Sequence, residues 1–186
     1  MSNATETRGN PIGLEDVATA LHAVRLTRPR PADAAAVVGD GPLALATLAV
    51  LLARGVGKVA LVADSDGSRA RATRAGASAL RHPASAEALE QVRGSLGGYG
   101  PDFVFECEGS SDARRLAIEL VRPAGTVVLV AGDQMPTSMN PNLLVMADKR
   151  VQGSRGFEAA DLELTRDLIE ARRLRLDDLG KGEGDA

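Results

Sequence analysis

Short apolar runs alternate along this chain with segments of helical periodicity. Val17, Ala20, Leu21 and Val24 recur at i, i+3, i+4, i+7 spacing, which predicts a helix over 15–25 with one face for a sheet. The run AAAVVG at 34–39 reads as a strand, and Gly41-Pro42 then opens a helix over 43–54 that Gly55 and Gly57 stop. KVALVAD at 58–64 is a second strand, 68–75 a helix ended by Gly76, 78–80 a short strand and 84–96 a helix. DFVFECEG at 102–109 gives a fourth strand, followed by a helix capped by Ser111 and running to Val121. GTVVLVAG at 125–132 and KRVQGS at 149–154 supply the fifth and sixth strands. A last helix over 162–173 buries Leu164, Leu168 and Ile169.

Strands that alternate with helices in this way pair in parallel through right-handed crossovers. The expected fold is therefore α/β, a doubly wound parallel six-stranded sheet between two helix layers, of the Rossmann type. One dinucleotide-binding domain over 14–179 accounts for the 186 residues, with flexible segments at 1–13 and 180–186, both small, polar or Gly-rich.

Composition removes several classes of function. Aromatic residues make up 2% and Trp is absent, so platforms for stacking nucleic-acid bases are missing, and a net charge of −3 offers no phosphate-tracking surface. Nucleic acid is not an expected partner. No apolar run approaches the roughly 20 residues of a membrane span, and the N-terminus has no apolar export segment. The single cysteine, Cys107, permits no internal disulfide and no multi-cysteine zinc site, which suits a reducing cytoplasm.

The segment Gly39-Asp40-Gly41-Pro42-Leu43-Ala44 fits G-x-G-x-x-G/A. Alone the pattern is weak. Here it follows a strand, opens a helix and lies in a unit whose second strand ends in Asp64, 23 residues after Gly41. Gly39 would make the sharp turn, Gly41 would let a pyrophosphate approach the backbone, and Ala44 would let the helix pack close to the sheet. The helix N-terminus then faces the anion with unsatisfied N–H groups. Asp64 can accept both hydroxyls of an adenosine ribose while repelling a 2′-phosphate, which favours NAD over NADP. Ser65 follows in place of a basic residue and supports that choice, whereas Arg69 or Arg71 swinging in would weaken it.

Taken together, residues 37–77, VVGDGPLALATLAVLLARGVGKVALVADSDGSRARATRAGA, resemble the cofactor half of zinc-type medium-chain alcohol and polyol dehydrogenases. ATALHAVRL (18–26), GGYGPDFVFECEGS (97–110), VRPAGTVVLVAG (121–132), NPNLLVMADKRVQGS (140–154) and LTRDLIEARRLRLDDL (164–179) are similar to further segments of that family in the same order. The resemblance implies NAD(H) binding, with Gly109, Val130 and Ala131 near the nicotinamide, and a homodimer paired along the sixth strand. The family's catalytic domain, with its Cys ligand and Gly-His-Glu motif, has no counterpart in this sequence. Glu15, seven residues before His22, stands where the family often places a zinc ligand, but one carboxylate does not hold a catalytic zinc, so no zinc is expected. His22 reads as a histidine at the rim of the core, and His82, before Pro83, as a solvated residue.

Hydride transfer also needs a group to stabilise or exchange the alkoxide proton. Glu106, Cys107, Glu108 and Asp133 cluster near the expected nicotinamide end, and a buried carboxyl of raised pKa would serve, although strand-end structural roles account for them as well. Beside a remnant that folds and dimerises without a task, two functional readings stay open. One is an NAD(H)-dependent oxidoreductase that works without zinc or with a separate catalytic chain. The other is a non-catalytic NAD(H)-binding sensor or interaction subunit.

Overall fold

The computed structural model describes residues 12–83, 86–132, 136–174 and 176. Thirteen elements follow one another: α1 (Leu14–Thr27), β1 (Ala34–Val38), α2 (Pro42–Ala53), β2 (Lys58–Val62), α3 (Asp66–Arg74), β3 (Ser78–Leu80), α4 (Ala86–Leu96), β4 (Phe103–Glu106), α5 (Ser111–Leu120), β5 (Thr126–Leu129), α6 (Asn142–Val145), β6 (Arg150–Gly153) and α7 (Ala159–Glu170). The strands form one all-parallel sheet in the order β3-β2-β1-β4-β5-β6, with Ala36 opposite Ala60 on one side and Val104 on the other. This is the expected doubly wound α/β arrangement. The order reverses between β1 and β4, which opens a crevice at the carboxyl ends of those two strands.

β1 is buried along all five residues, as a central parallel strand covered on both faces must be. Its alternating side chains feed two cores. Ala35 and Val37 join Phe105, Val128 and the inner faces of α1 and α2, while Ala36 and Val38 join Val104, Val127 and the faces of α4 and α5. Helix α2, PLALATLAVLLA, is apolar all round and accordingly buries eight of its twelve residues.

Polar contacts tie the layers. The Asp102 carboxylate at the start of β4 accepts the Ala34 N–H at 2.8 Å and the Arg122 guanidinium at 2.7 and 2.8 Å. Burial pulls its pKa up, but the Ala34 N–H and Arg122 outweigh burial and hold it below the ordinary value. Between α1 and α7, the fully buried Asp161 accepts His22 Nδ1 at 2.8 Å, the Glu158 N–H at 3.0 Å and the Arg25 guanidinium. Here too the Glu158 N–H, His22 and Arg25 overcome burial and lower the carboxyl pKa. Lys149 Nζ donates to the Ile118 carbonyl at 2.6 Å and so satisfies an orphan acceptor in the last turn of α5.

The sequence pattern and the structure differ in four places. Ser110, not Ser111, caps α5, its Oγ accepting the Ala113 N–H at 3.1 Å. Helix α7 starts at Ala159, three residues earlier than the apolar period alone suggests, where the Asp161 carboxylate accepts the Glu158 N–H at 3.0 Å. The one-turn helix α6 has too few residues for a periodicity to register. His82 is half-buried, lining a groove of 370 Å³ with Leu89, Asp112 and Arg115, and so is not fully solvated. The segments 1–11 and 180–186 lie outside the described residues, and Ile12 packs against the core ahead of α1.

Asp102 and Asp161 have depressed folded pKa values, so both stabilise the protein fully above their unfolded pKa near 3.8 and progressively less as pH falls through the folded values. The melting temperature is therefore expected to fall below about pH 4. Asp161→Ala, which strips His22 and Arg25 of their shared acceptor, should cost about 2 kcal/mol in denaturant melts at neutral pH and flatten that acid limb.

Candidate functional site

The crevice between β1 and β4 is built on a turn that only glycine fits. Gly39 has φ +141°, and a Cβ placed on it would lie 3.2 Å from the Cys107 carbonyl carbon and 3.4 Å from the Glu108 nitrogen. The turn thus rests directly on the backbone that leaves β4. Gly41 is different. Its φ is −85°, a value open to any residue, and a Cβ there would meet nothing within 4 Å. The fold itself does not require a glycine at that point. Gly41 is the N-cap of α2, no side chain caps the helix, and Pro42 occupies the first turn, where its missing N–H is no loss. The helix therefore opens towards the crevice with free N–H groups and its positive dipole end. Leu43 packs partly against the core behind the turn, and Ala44 is fully buried where the helix meets the sheet.

Asp40, which the motif treats as a free position, fixes the neighbouring strand end. Its carboxylate accepts the N–H of Asp64 at 2.9 Å and of Ser65 at 3.0 Å, and its carbonyl accepts the Ser68 hydroxyl at 2.9 Å. Asp64 is exposed, and its carboxylate makes no hydrogen bond among the described residues. Ser65 caps α3, its Oγ accepting the Ser68 N–H at 3.3 Å. The Arg69 guanidinium donates to the carbonyls of Ala63 and Asp64, each at 2.7 Å, and pairs with Asp66, whose carboxylate also meets Arg81 at 3.3 Å. Arg69 is thereby held beneath the turn, and Arg71 hydrogen-bonds its own helix at the Gly67 carbonyl.

On the other side of the crevice, Glu106 is fully buried and its Oε1 accepts the N–H groups of Glu108 at 2.7 Å and Gly109 at 2.6 Å. Burial raises its carboxyl above the ordinary value, against the lowering pull of those two N–H groups and of the Arg114 guanidinium, whose Nε stands 3.7 Å from Oε2. Gly109, at φ +86°, has no room for a side chain, since a Cβ would sit 2.8 Å from the Gly132 carbonyl oxygen. The β4 and β5 ends consequently touch through backbone, with the N–H groups of Val130 and Ala131 both on the Glu106 carbonyl. Val130 is buried and Ala131 half-buried beside them.

The three catalytic candidates do not converge on the crevice. Glu106 is turned inward to its own loop. Cys107 is buried 3.5 Å from Thr47 Oγ1, and burial pushes its thiol up to about 12. Glu108 is exposed and accepts the Ser110 hydroxyl at 2.9 Å. Asp133 lies outside the described residues. Among the described residues no three His, Cys, Asp or Glu side chains gather as metal ligands; Glu15 is exposed and His22 is hydrogen-bonded to Asp161. Nor does any described helix have the length and apolarity to cross a membrane.

A profile of the family described as zinc-binding dehydrogenase matches residues 42–171. The chain belongs to that family. It is similar to (R,R)-butanediol dehydrogenase of Neisseria gonorrhoeae, 28% identical over 165 residues that cover 88% of this chain and 46% of the relative. Among solved structures, the 2R,3R-butanediol dehydrogenase of Bacillus subtilis superposes with a TM-score of 0.80 at 28% identity, covering 89% of this chain and 47% of the other. A protein of Sinorhizobium meliloti provisionally described as a zinc-binding dehydrogenase, bound to NADP, gives 0.78 at 25% identity over 88% and 49%. The chain thus spans about half the length of the family members it matches. The matched stretch begins at the first residue of α2 and takes in every later strand, so the family's cofactor-side architecture is what this chain carries.

Two contrasting outcomes are expected for the two glycines. Gly39→Ala, forced into a left-handed conformation against β4 backbone, should lose about 2 kcal/mol in denaturant unfolding, whereas Gly41→Ala should stay within about 0.5 kcal/mol of the parent. The Cys107 thiol should resist a thiol reagent at pH 8 until denaturant is added; ready labelling of the folded protein would contradict its sealed position.

Proposed function

We propose that this chain binds NAD(H) in the β1–β4 crevice and serves hydride transfer as the cofactor side of an oxidoreductase. The observation that carries the reading is the uncapped start of α2 beside Gly41, where a side chain is absent although the fold leaves open space for one. In this reading one domain over 14–179 holds the cofactor. Gly39 sets the turn, the N–H groups around Gly41, Leu43 and Ala44 face the pyrophosphate, and Pro42 keeps the helix start rigid. Asp64 accepts the adenosine ribose hydroxyls, held in place by Asp40, Ser65 and Arg69. Gly109, Val130 and Ala131 line the nicotinamide end. When bound, the nicotinamide accepts or donates the hydride.

NAD is favoured over NADP because Asp40 and Asp64 place two carboxylates at the β2 end, while the charge of Arg69 is answered by Asp66. No step is assigned to zinc. Glu106 and Cys107 are buried and the exposed Glu108 is engaged with Ser110, which also supports a second reading, a non-catalytic NAD(H)-binding sensor or interaction subunit. A separate chain supplying the substrate groups would reconcile cofactor binding with turnover. A cytoplasmic location agrees with the lone reduced Cys107.

The partner most readily accommodated is a second copy. The outer edge of β6 has no strand neighbour among the described residues, and Val145 and Met146 stand exposed on α6 just before it. Sedimentation should show a dimer, and a monomer at micromolar concentration would overturn that assignment.

Titration with NADH, followed by its fluorescence, tests the central reading. Saturable binding is expected in the parent protein, and Asp64→Ala should weaken it about tenfold while narrowing the gap to NADPH. Gly41→Val should abolish binding without unfolding the chain. No saturation at millimolar NADH would sink both functional readings; binding without turnover of alcohols, aldehydes or ketones would select the second.

A further inference from the structure

At the other end of the sheet from the phosphate turn, where α1 and α2 finish and β1 and β2 begin, lies a cavity of 540 Å³ lined by His22, Arg25, Leu26, Arg28, Arg54 and Glu158. Its size falls in the range of about 300–1,000 Å³ typical of small-ligand sites. Four of the six lining residues are basic, in a chain whose net charge is −3.

The cationic groups are not equivalent. Arg25 is committed to the buried Asp161, and His22 gives that carboxylate its Nδ1, which leaves Nε2 as its free ring nitrogen. Arg28 and Arg54 have no side-chain hydrogen bond or carboxylate partner among the described residues. With Glu158 on the rim, the cavity keeps one more positive than negative charge while His22 is neutral. Arg28 is also held at φ 49°, ψ 55°, as the left-handed residue closing α1. Glycine takes that position without strain, and an L residue does not. Three other described non-glycine residues, Ala124, Asp148 and Arg172, share that conformation; Arg28 differs from them in lining this cavity with its exposed side chain.

We propose that this cavity is a second binding site, for a small phosphate-bearing molecule, with Arg28 and Arg54 as the guanidiniums that take the phosphate oxygens and His22 Nε2 as a third polar contact. Planar guanidiniums without other partners are the groups best matched to phosphate geometry. The walls from α1, α2 and the start of α7 leave the site open on one side, with Arg28 and Arg54 exposed there and the volume of a small molecule, and nothing in the site depends on cofactor binding at the crevice.

The test is a site-resolved titration of the ¹⁵N-labelled full chain with inorganic pyrophosphate, against chloride at equal ionic strength. The amide and Arg side-chain signals of Thr27, Arg28, Arg54 and Gly55 should move and saturate, separately from any movement around Gly41. Arg28→Gly should weaken this saturation about tenfold, the loss of one charge-assisted contact, without lowering the melting temperature, because glycine relieves the left-handed residue. Arg54→Ala should weaken it similarly. Absent or unsaturating shifts, an unchanged affinity in Arg28→Gly, or binding to phosphatidic acid vesicles with no response to pyrophosphate would each overturn the proposal.

Discussion

The contact between the Gly39 turn and the backbone leaving β4 is the constraint on which the rest of this structure depends. It brings the chain after β1 to within van der Waals distance of Cys107 and Glu108, so the two strands that diverge at the switch point share one floor. Each nearby choice follows from it. Cys107, whose backbone the turn meets, turns its buried thiol to Thr47 Oγ1 at 3.5 Å. Glu106, directly before this contact, binds the next two free N–H groups of its own loop, and the loop then turns through Gly109 against Gly132. The crevice is therefore walled by backbone on both sides, the strand ends paired with one another and the start of α2 left uncapped.

That construction separates two properties that family membership would join. The crevice is bordered by an open helix start and by backbone at strand ends, with the exposed Asp64 carboxylate at the neighbouring end of β2. Groups with intrinsic reactivity do not. The carboxyl of Glu106 and the thiol of Cys107 are both taken into the protein, and their perturbed pKa values are consequences of that burial. A shifted pKa here marks a supporting role, since geometry gives neither group access to a reacting atom.

Much of this was legible in the chain, for local reasons. The alternation of apolar runs and helical periods reports burial directly, so each strand and the long helices could be placed within a few residues, and the Gly39-to-Ala44 turn with Asp64 could be placed by spacing. Less legible were residues whose partners are distant in sequence. Asp40 holds a strand end 24 positions away and Asp161 meets His22 139 positions earlier; neither pairing leaves a local pattern. An acidic residue inside the glycine turn, beside a strand end with unpaired N–H groups, was the one signal that could have exposed the first. His22 carried none, because a helix-face histidine looks alike whether it meets solvent, core or a buried carboxylate.

By itself, then, the sequence determined the layered α/β architecture, the helix that opens at Gly41 and the strand that ends at Asp64, because each follows from side-chain periodicity and backbone preference over short stretches. Only the tertiary structure decided that Glu106 and Cys107 turn inward, that Arg69 is pinned beneath the β2–α3 turn and that Arg28 and Arg54 share a cavity with His22. Those outcomes depend on which side chains the sheet and its crossovers bring together. A charged residue's role is fixed by the partners it finds in space, and the one-dimensional chain does not specify them.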